Sequence, residues 1–156
     1  IGLLQLDPQW LAVKEAAIPG LLGVAVLIST YTPYPLIRTL LYNPSIIDIE
    51  KVQQKLDEYG TKAIFEKRLK NATYWLSGTF LFSAVMNYVL ATIIVKSPAG
   101  SAAFNEELGQ MTLLSYPVIA IPSTLMMIAI FYFLWRTIQG STGLALEEVL
   151  ATNRSR

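Results

Sequence analysis

Three long apolar stretches alternate with polar segments along the chain. The middle stretch, residues 73–95, reads TYWLSGTFLFSAVMNYVLATIIV and carries no charged residue. Because an α-helix rises about 1.5 Å per residue, a run of this length can cross the roughly 30 Å hydrocarbon core of a bilayer. The pattern predicts a transmembrane helix, span two, with Asn87 near the middle of the membrane.

The first apolar stretch, residues 8–30, predicts span one. It follows Asp7 and Pro8, a pair that favours a helix start. The aspartate can accept hydrogen bonds from free N–H groups, and proline is tolerated in the first turn. Pro19 lies inside the stretch and predicts a kink, because proline removes a backbone hydrogen bond from a helix interior.

The third apolar stretch, residues 115–135, predicts span three and contains Pro117 and Pro122. Both prolines predict kinks in this helix. Carbonyl groups that lose their partner in lipid need another one, so we expect both prolines to face protein. Ser123 and Thr124 are candidate partners for the freed carbonyl groups.

A polar connector, residues 31–72, joins spans one and two and predicts two amphipathic helices. The second contains Ile64, Phe65 and Leu69 and is expected to run straight into span two. Ser45 with Asp48 resembles a capping box, and Gly60 can end the helix that follows. The apolar face of that helix comprises Ile49, Val52, Leu56 and Tyr59. The face is too small to form a core alone, so we expect the helix to lie on the membrane surface or against a partner.

The rest of the chain completes the predicted topology. Residues 96–114 form a loop between spans two and three, and residues 136–156 form a tail. The opening residues IGLLQLD resemble the end of a preceding membrane segment, so we expect the sequence to be the C-terminal part of a longer protein. The predicted fold is all-α, a single membrane domain over residues 1–156. The predicted bundle is a polytopic integral membrane protein with three transmembrane helices and amphipathic cytoplasmic helices.

Basic residues are spread unevenly over the polar segments. Seven lie in the connector, and only Lys96 lies between spans two and three. Three follow span three: Arg136, Arg154 and Arg156. Since short cytoplasmic loops carry an excess of lysine and arginine, the connector and the C-terminus are predicted to be cytoplasmic and residues 96–114 external.

Composition narrows the classes of function. Only 15% of the residues are charged, against about 25% in a typical soluble domain, and the net charge of +1 gives no basic field for nucleic acid. Cysteine and histidine are absent, which removes thiol and imidazole chemistry and the common metal ligand sets. Glu106 and Glu107 are interpreted as a solvated face. We therefore predict a protein that is not an enzyme and uses no cofactor or metal.

A stripe of small, weakly polar residues runs along span two at every fourth position: Thr79, Ser83, Asn87 and Ala91. Such residues let helices approach closely in lipid, and an asparagine among them can hydrogen-bond across the interface. We interpret the stripe as a helix-packing surface. The alternative is that Asn87 binds a polar ligand or lines a path.

Five charged residues near the ends of the spans are candidates for contact with lipid headgroups or a polar cavity. Lys14 and Glu15 are adjacent in span one and cannot face each other on a regular helix. Lys67, Arg68 and Lys70 precede span two and can attract anionic lipid. The alternatives are snorkelling for Lys14 and a purely topological role for the basic cluster.

The chain resembles the bacterial intracellular septation protein A family, also called the inner-membrane-spanning YciB group, and more closely a branch related to it. Three places carry the resemblance: LDPQWLAVKEAAIPGLLGVAVLIS, then PLIRTLL, then WLSGTFLFSAVMNYVLA followed by FNEELGQMTLLSYP. The resemblance implies a multi-pass protein of the bacterial inner membrane, linked to cell-envelope synthesis, cell shape or division, without known catalytic activity.

Three functions fit these observations. The first is a scaffold or interaction protein in envelope or septum biogenesis, whose partners are membrane lipids and other membrane subunits or a second copy, with no role for nucleic acid. The second is a small transporter or lipid-handling protein, suggested by the prolines of span three, by Lys14 and by Asn87. The third is an accessory subunit of a larger membrane complex.

Overall fold

A computed structural model describes residues 8–150, and helices account for most of them. In chain order the elements are α1 (Pro8–Ser29), α2 (Leu36–Leu40), α3 (Ile49–Tyr59), α4 (Lys62–Ile94), α5 (Ala102–Ser115), a π-helical turn (Tyr116–Ala120), α6 (Ile121–Thr142) and α7 (Leu146–Val149). Within residues 8–150 there is no strand, only an isolated antiparallel bridge between Ile47 and Leu150. The predicted all-α fold is confirmed.

Three helical stretches are long and apolar enough to cross a membrane: Pro8–Ser29, Lys62–Ile94 and Ala102–Thr142. They match the three predicted spans to within one residue at the C-terminal ends of spans one and two and include span three, so the prediction of a three-span helical membrane protein is confirmed. The exact limits of the spans stay predictions. Helix α4 has 33 residues and is about 50 Å long, which exceeds the thickness of the hydrocarbon core.

Helix α1 is described from Pro8 and continues through Pro19 to Ser29. The predicted capping residue, Asp7, lies outside the described residues, as do Arg154 and Arg156. A change of helix direction at Pro19 stays a prediction.

The π-helical turn is the backbone response to the two prolines of span three. Ile121 donates its N–H to the carbonyl of Tyr116, five residues back. In a regular α-helix the ring of Pro122 would clash with the carbonyl four residues before it, and one wider turn relieves that clash. Pro122 is half-buried in this chain and Pro117 is exposed, so contact of Pro117 with protein stays a prediction that requires a partner.

Helix α3 begins and ends at the predicted places but with a different cap. Asp48, not Ser45, is the capping residue, because its carboxylate accepts from the N–H of Lys51 at 3.3 Å. Gly60 ends the helix with φ of 65°, a left-handed conformation that glycine adopts without strain. Val52 and Leu56 are completely buried. The expectation that this face lies on the membrane or a partner is wrong for Val52 and Leu56, because the chain covers them with its own residues, whereas Tyr59 of the same face is exposed.

The described residues group into two compact units by their internal contacts. The first unit comprises residues 8–24 and 78–126, and the second comprises residues 25–77 and 127–150. A cluster of buried side chains forms the core of the first unit: Ala12, Leu90, Ala91, Val95, Met111 and Ile119. The largest completely buried side chains of the second unit include Tyr42, Phe65, Ile37, Leu56 and Ile138.

The second unit ties the connector to the C-terminal segment. Thr61 donates its hydroxyl to the carbonyl of Ser141 at 2.6 Å, and Asp48 donates its N–H to the carbonyl of Val149 at 2.7 Å. Helix α3 also contacts α7. Since hydrogen-bonded segments must share one side of a membrane, the connector and the segment after span three lie on the same side.

Candidate functional site

The first unit contains a close helix contact built on glycine. A Cβ atom added at Gly23 of α1 would lie 2.9 Å from the side chain of Leu81 on α4, and one added at Gly20 would lie 3.6 Å from the Cβ of Ala84. Only the first distance is too short for ordinary packing. Small residues at such contacts allow helices to approach closely in lipid. The sequence did not predict this contact, although the spacing of three residues places Gly20 and Gly23 on one face of α1.

The predicted stripe on α4 lies partly in this unit's interior. Thr79 and Ala91 are buried, whereas Ser83 and Asn87 are half-buried. The hydroxyl groups of Ser83 and Ser123 on α6 lie 3.0 Å apart and form a hydrogen bond between the two helices. Asn87 donates its amide to the carbonyl of Ser83 in its own helix at 2.8 Å. The helix-to-helix hydrogen bond expected for Asn87 is therefore made by Ser83.

The loop after α4 is fixed by a single carboxylate. Glu107 of α5 accepts hydrogen bonds from the N–H groups of Lys96 and Ser97, both at 2.9 Å, and from the hydroxyl of Ser97 at 2.8 Å. Glu106 is exposed. The interpretation as a solvated face therefore holds for Glu106 but not for Glu107, which joins the end of α4 to α5.

The second unit holds a polar cluster next to the end of α1. Arg38 of α2 donates to both carboxylate oxygens of Glu66 on α4, and its guanidinium carbon lies 5.6 Å from the ring centre of Tyr42. Tyr42 is buried and packs against Phe65 with ring centres 5.3 Å apart. Burial raises the pKa of the Tyr42 hydroxyl above its ordinary value, so the phenol stays neutral. Gln53 partly opposes the shift by donating to the phenol oxygen at 3.5 Å. The cluster fixes the position of α2 against α4.

The three predicted basic residues of α4 separate into two groups. Lys67 and Lys70 line a pocket of about 340 Å³, and the side chain of Arg68 does not. All three are exposed. The ammonium group of Lys70 lies 5.4 Å from the ring centre of Tyr31, a cation–π distance.

Lys14 and Glu15 belong to the first unit, where Lys14 is exposed and Glu15 half-buried. Neither has an ion pair within residues 8–150, whereas Arg38 pairs with Glu66 and Lys55 with Glu58 in the second unit. Their contact with lipid stays a prediction.

A second pocket of about 340 Å³ in this unit is lined almost entirely by apolar side chains. They come from the connector, α6 and α7 and include Leu41, Ile46, Phe131, Trp135, Leu146 and Val149. The indole N–H of Trp135 has no hydrogen-bond partner in the described part of the chain. Within that part there is also no group of three or more acidic side chains that could hold a metal ion.

No protein-family model, curated protein or solved structure matches the chain at a significant level. The class of protein consequently rests on the fold itself. Three helical stretches of membrane-spanning length and apolar composition define a multi-pass helical membrane protein.

Proposed function

We propose that the chain is a non-catalytic protein of the bacterial inner membrane that acts as a scaffold or interaction partner in envelope or septum biogenesis. Membership of the septation protein A family is part of the proposal and rests on the three sequence stretches quoted above. The proposed orientation, with the connector and C-terminus in the cytoplasm, rests on the distribution of basic residues.

The observation that carries the interaction role is the low burial of the spans. In the most apolar window of each membrane helix, only 17%, 22% and 17% of the residues are buried inside the chain. Most of the apolar surface is therefore open to lipid or to other membrane helices. On α6, three large side chains repeat along one exposed face: Leu125, Ile128 and Tyr132.

The test is isolation of the full chain from native membranes in a mild detergent, followed by native mass spectrometry. We expect a second copy or another membrane protein in fixed ratio. Alanine at both Ile128 and Tyr132 should release that partner while the melting temperature stays unchanged. Alanine at the buried positions Ile130 and Leu134 is the matched control and should lower the melting temperature. A chain that elutes alone, from cells whose envelope is unaffected by its deletion, contradicts the proposal.

The same isolation separates the scaffold from an accessory subunit, since an accessory subunit elutes with a defined larger complex. The transporter alternative is favoured by one observation, the hydroxyl pair of Ser83 and Ser123 beside the π-helical turn. A polar route in this region requires those hydroxyls. The test is solute flux into proteoliposomes that contain the chain. Flux that is lost in the Ser83→Ala and Ser123→Ala variants supports transport in place of the scaffold role.

A further inference from the structure

The pocket beside α4 in the second unit has an apolar floor and a basic rim. Ile37 and Leu69 lie under the pocket and are almost completely buried, while the half-buried Pro35 and the aliphatic stems of the lysines in its rim give it accessible apolar surface. Lys67 and Lys70 stand three residues apart on α4, so they lie on one face of the helix. The pocket combines a surface for hydrocarbon with two groups that bind anions.

The two lysines carry charge that the protein does not neutralise. The remaining charged residue of the lining, Glu66, is engaged through both carboxylate oxygens by Arg38. Lys67 and Lys70 have no carboxylate partner in the described part of the chain. The ring of Tyr31 lies 5.4 Å from the ammonium group of Lys70 and holds it without removing its charge.

The hydroxyl groups in the pocket lining already donate their protons elsewhere, so the lysines are the side chains that can donate to an anion. Thr30 donates to the carbonyl of Val26, and Thr73 donates to the carbonyl of Leu69. Both threonines therefore use their protons within their own helices. An anion in this pocket would be held by ammonium groups, which bind phosphate as point charges.

The place of the pocket along the spans identifies the kind of anion. Helix α1 ends at Ser29, and the predicted span two begins at residue 73. Large aromatic side chains near these ends are exposed: Tyr31 by 73%, Tyr34 by 83% and Trp75 by 67%. Exposed tyrosine and tryptophan are typical of the membrane–water boundary, which is the level of lipid phosphates.

We infer that this pocket binds the phosphate group of an anionic phospholipid. Lys67 and Lys70 hold the phosphate oxygens, and the apolar floor receives the glycerol end of the acyl chains. A soluble phosphate ester shares the charge chemistry but leaves the floor uncovered. This inference rests on the membrane location in the proposed function and is independent of the scaffold role, so the two proposals can fail separately.

The test is lipid retention by the purified full chain in a neutral detergent, measured by native mass spectrometry during titration with phosphatidylglycerol. Changing both Lys67→Gln and Lys70→Gln should weaken binding about 25-fold, about fivefold for each basic charge lost. Lys62→Gln with Arg68→Gln is the matched control. Both of these residues are exposed on α4, and neither lines the pocket. Changing them to glutamine removes the same number of positive charges as the first double variant. This control should leave binding unchanged.

Equal weakening by the two double variants would show general surface attraction and overturn the site. Phosphatidylcholine bound as tightly as phosphatidylglycerol overturns the preference for an anionic lipid. Displacement of the lipid by inorganic phosphate overturns the lipid as the source of the phosphate. Lys67→Arg with Lys70→Arg keeps both charges and should retain binding, which separates loss of the site from loss of the fold.

Discussion

Thr137 is completely buried in α6, yet its hydroxyl has no hydrogen-bond partner among residues 8–150. A buried polar group without a partner loses its hydration and gains nothing in return. Thr137→Val keeps the shape of the side chain and removes the hydroxyl. We expect it to raise the free energy of unfolding by about 1 kcal/mol, measured by thermal unfolding in detergent.

Thr142 provides the matched control for that prediction, because it is equally buried but satisfied. Its hydroxyl donates to the carbonyl of Ile138 at 2.6 Å and accepts from the N–H of Leu144 at 3.3 Å. Thr142→Val removes both hydrogen bonds and should lower stability by about 1–3 kcal/mol. If both valine variants shift stability in the same direction, the hydroxyl of Thr137 has a partner after all.

The hydroxyl pair of Ser83 and Ser123 supports a second prediction at the scale of single residues. A double-mutant cycle with Ser83→Ala and Ser123→Ala should show a coupling of about 0.6 kcal/mol, the usual strength of a hydrogen bond between membrane helices. Val85→Leu, at a side chain 60% exposed, should be nearly silent. A coupling energy of zero would show that the two hydroxyls do not interact and would contradict the hydrogen bond.

The contact between α1 and α4 at Gly23 sets a prediction at the scale of elements. Alanine normally favours a helix over glycine by about 1 kcal/mol. At Gly23 the new Cβ would lie 2.9 Å from Leu81, so Gly23→Ala should destabilise the protein by about 1–3 kcal/mol despite that gain. Gly20→Ala meets Ala84 at an ordinary 3.6 Å and should be neutral or stabilising. Melting temperatures of the two variants in the same detergent decide the point, and equal shifts contradict it.

The helices themselves were largely predictable, because hydrophobic length and periodicity act locally. The bounds of α3 at Asp48 and Gly60 follow from residues within one turn of each end of the helix. The amphipathic stretch before span two was expected to run straight into it, and α4 does so from Lys62. Helix α5 was missed, because residues 96–114 were predicted as a loop and their polar composition shows where lipid ends but not where a helix ends. The π-helical turn was not predicted either, because it depends on how the backbone avoids clashes with the rings of two prolines.

Contacts between elements were harder to predict from the sequence. The pairing of Arg38 with Glu66 joins residues 28 positions apart, and the bond between Ser83 and Ser123 joins residues 40 positions apart. Such distances depend on which helix faces meet, and one sequence does not encode that locally. The stripe on α4 could be predicted because its spacing of four residues matches a helix. The residues on α1 and α6 that pack against this part of α4 could not.

At the scale of the whole molecule, the topology is open to a direct test. We expect a reporter that is active only outside the cytoplasm to be active when fused near Gly100. The same reporter should be silent near Gly60 or after Arg156, because basic residues concentrate in those segments. The hydrogen bond between Thr61 and Ser141 requires the connector and the end of α6 to give the same result. Activity near Gly60 and silence near Gly100 reverse the proposed orientation.

The tie between Thr61 and Ser141 also has a consequence for synthesis on the ribosome. The two residues are 80 positions apart, so at roughly 5–20 residues per second the connector waits about 4–16 s for its partner to be made. During that interval Val52 and Leu56 lack α7, which contacts their helix in the folded chain. A nascent chain that stops before Ser141 therefore presents an uncovered apolar helix at the membrane surface, where insertion factors or proteases can recognise it as unfinished.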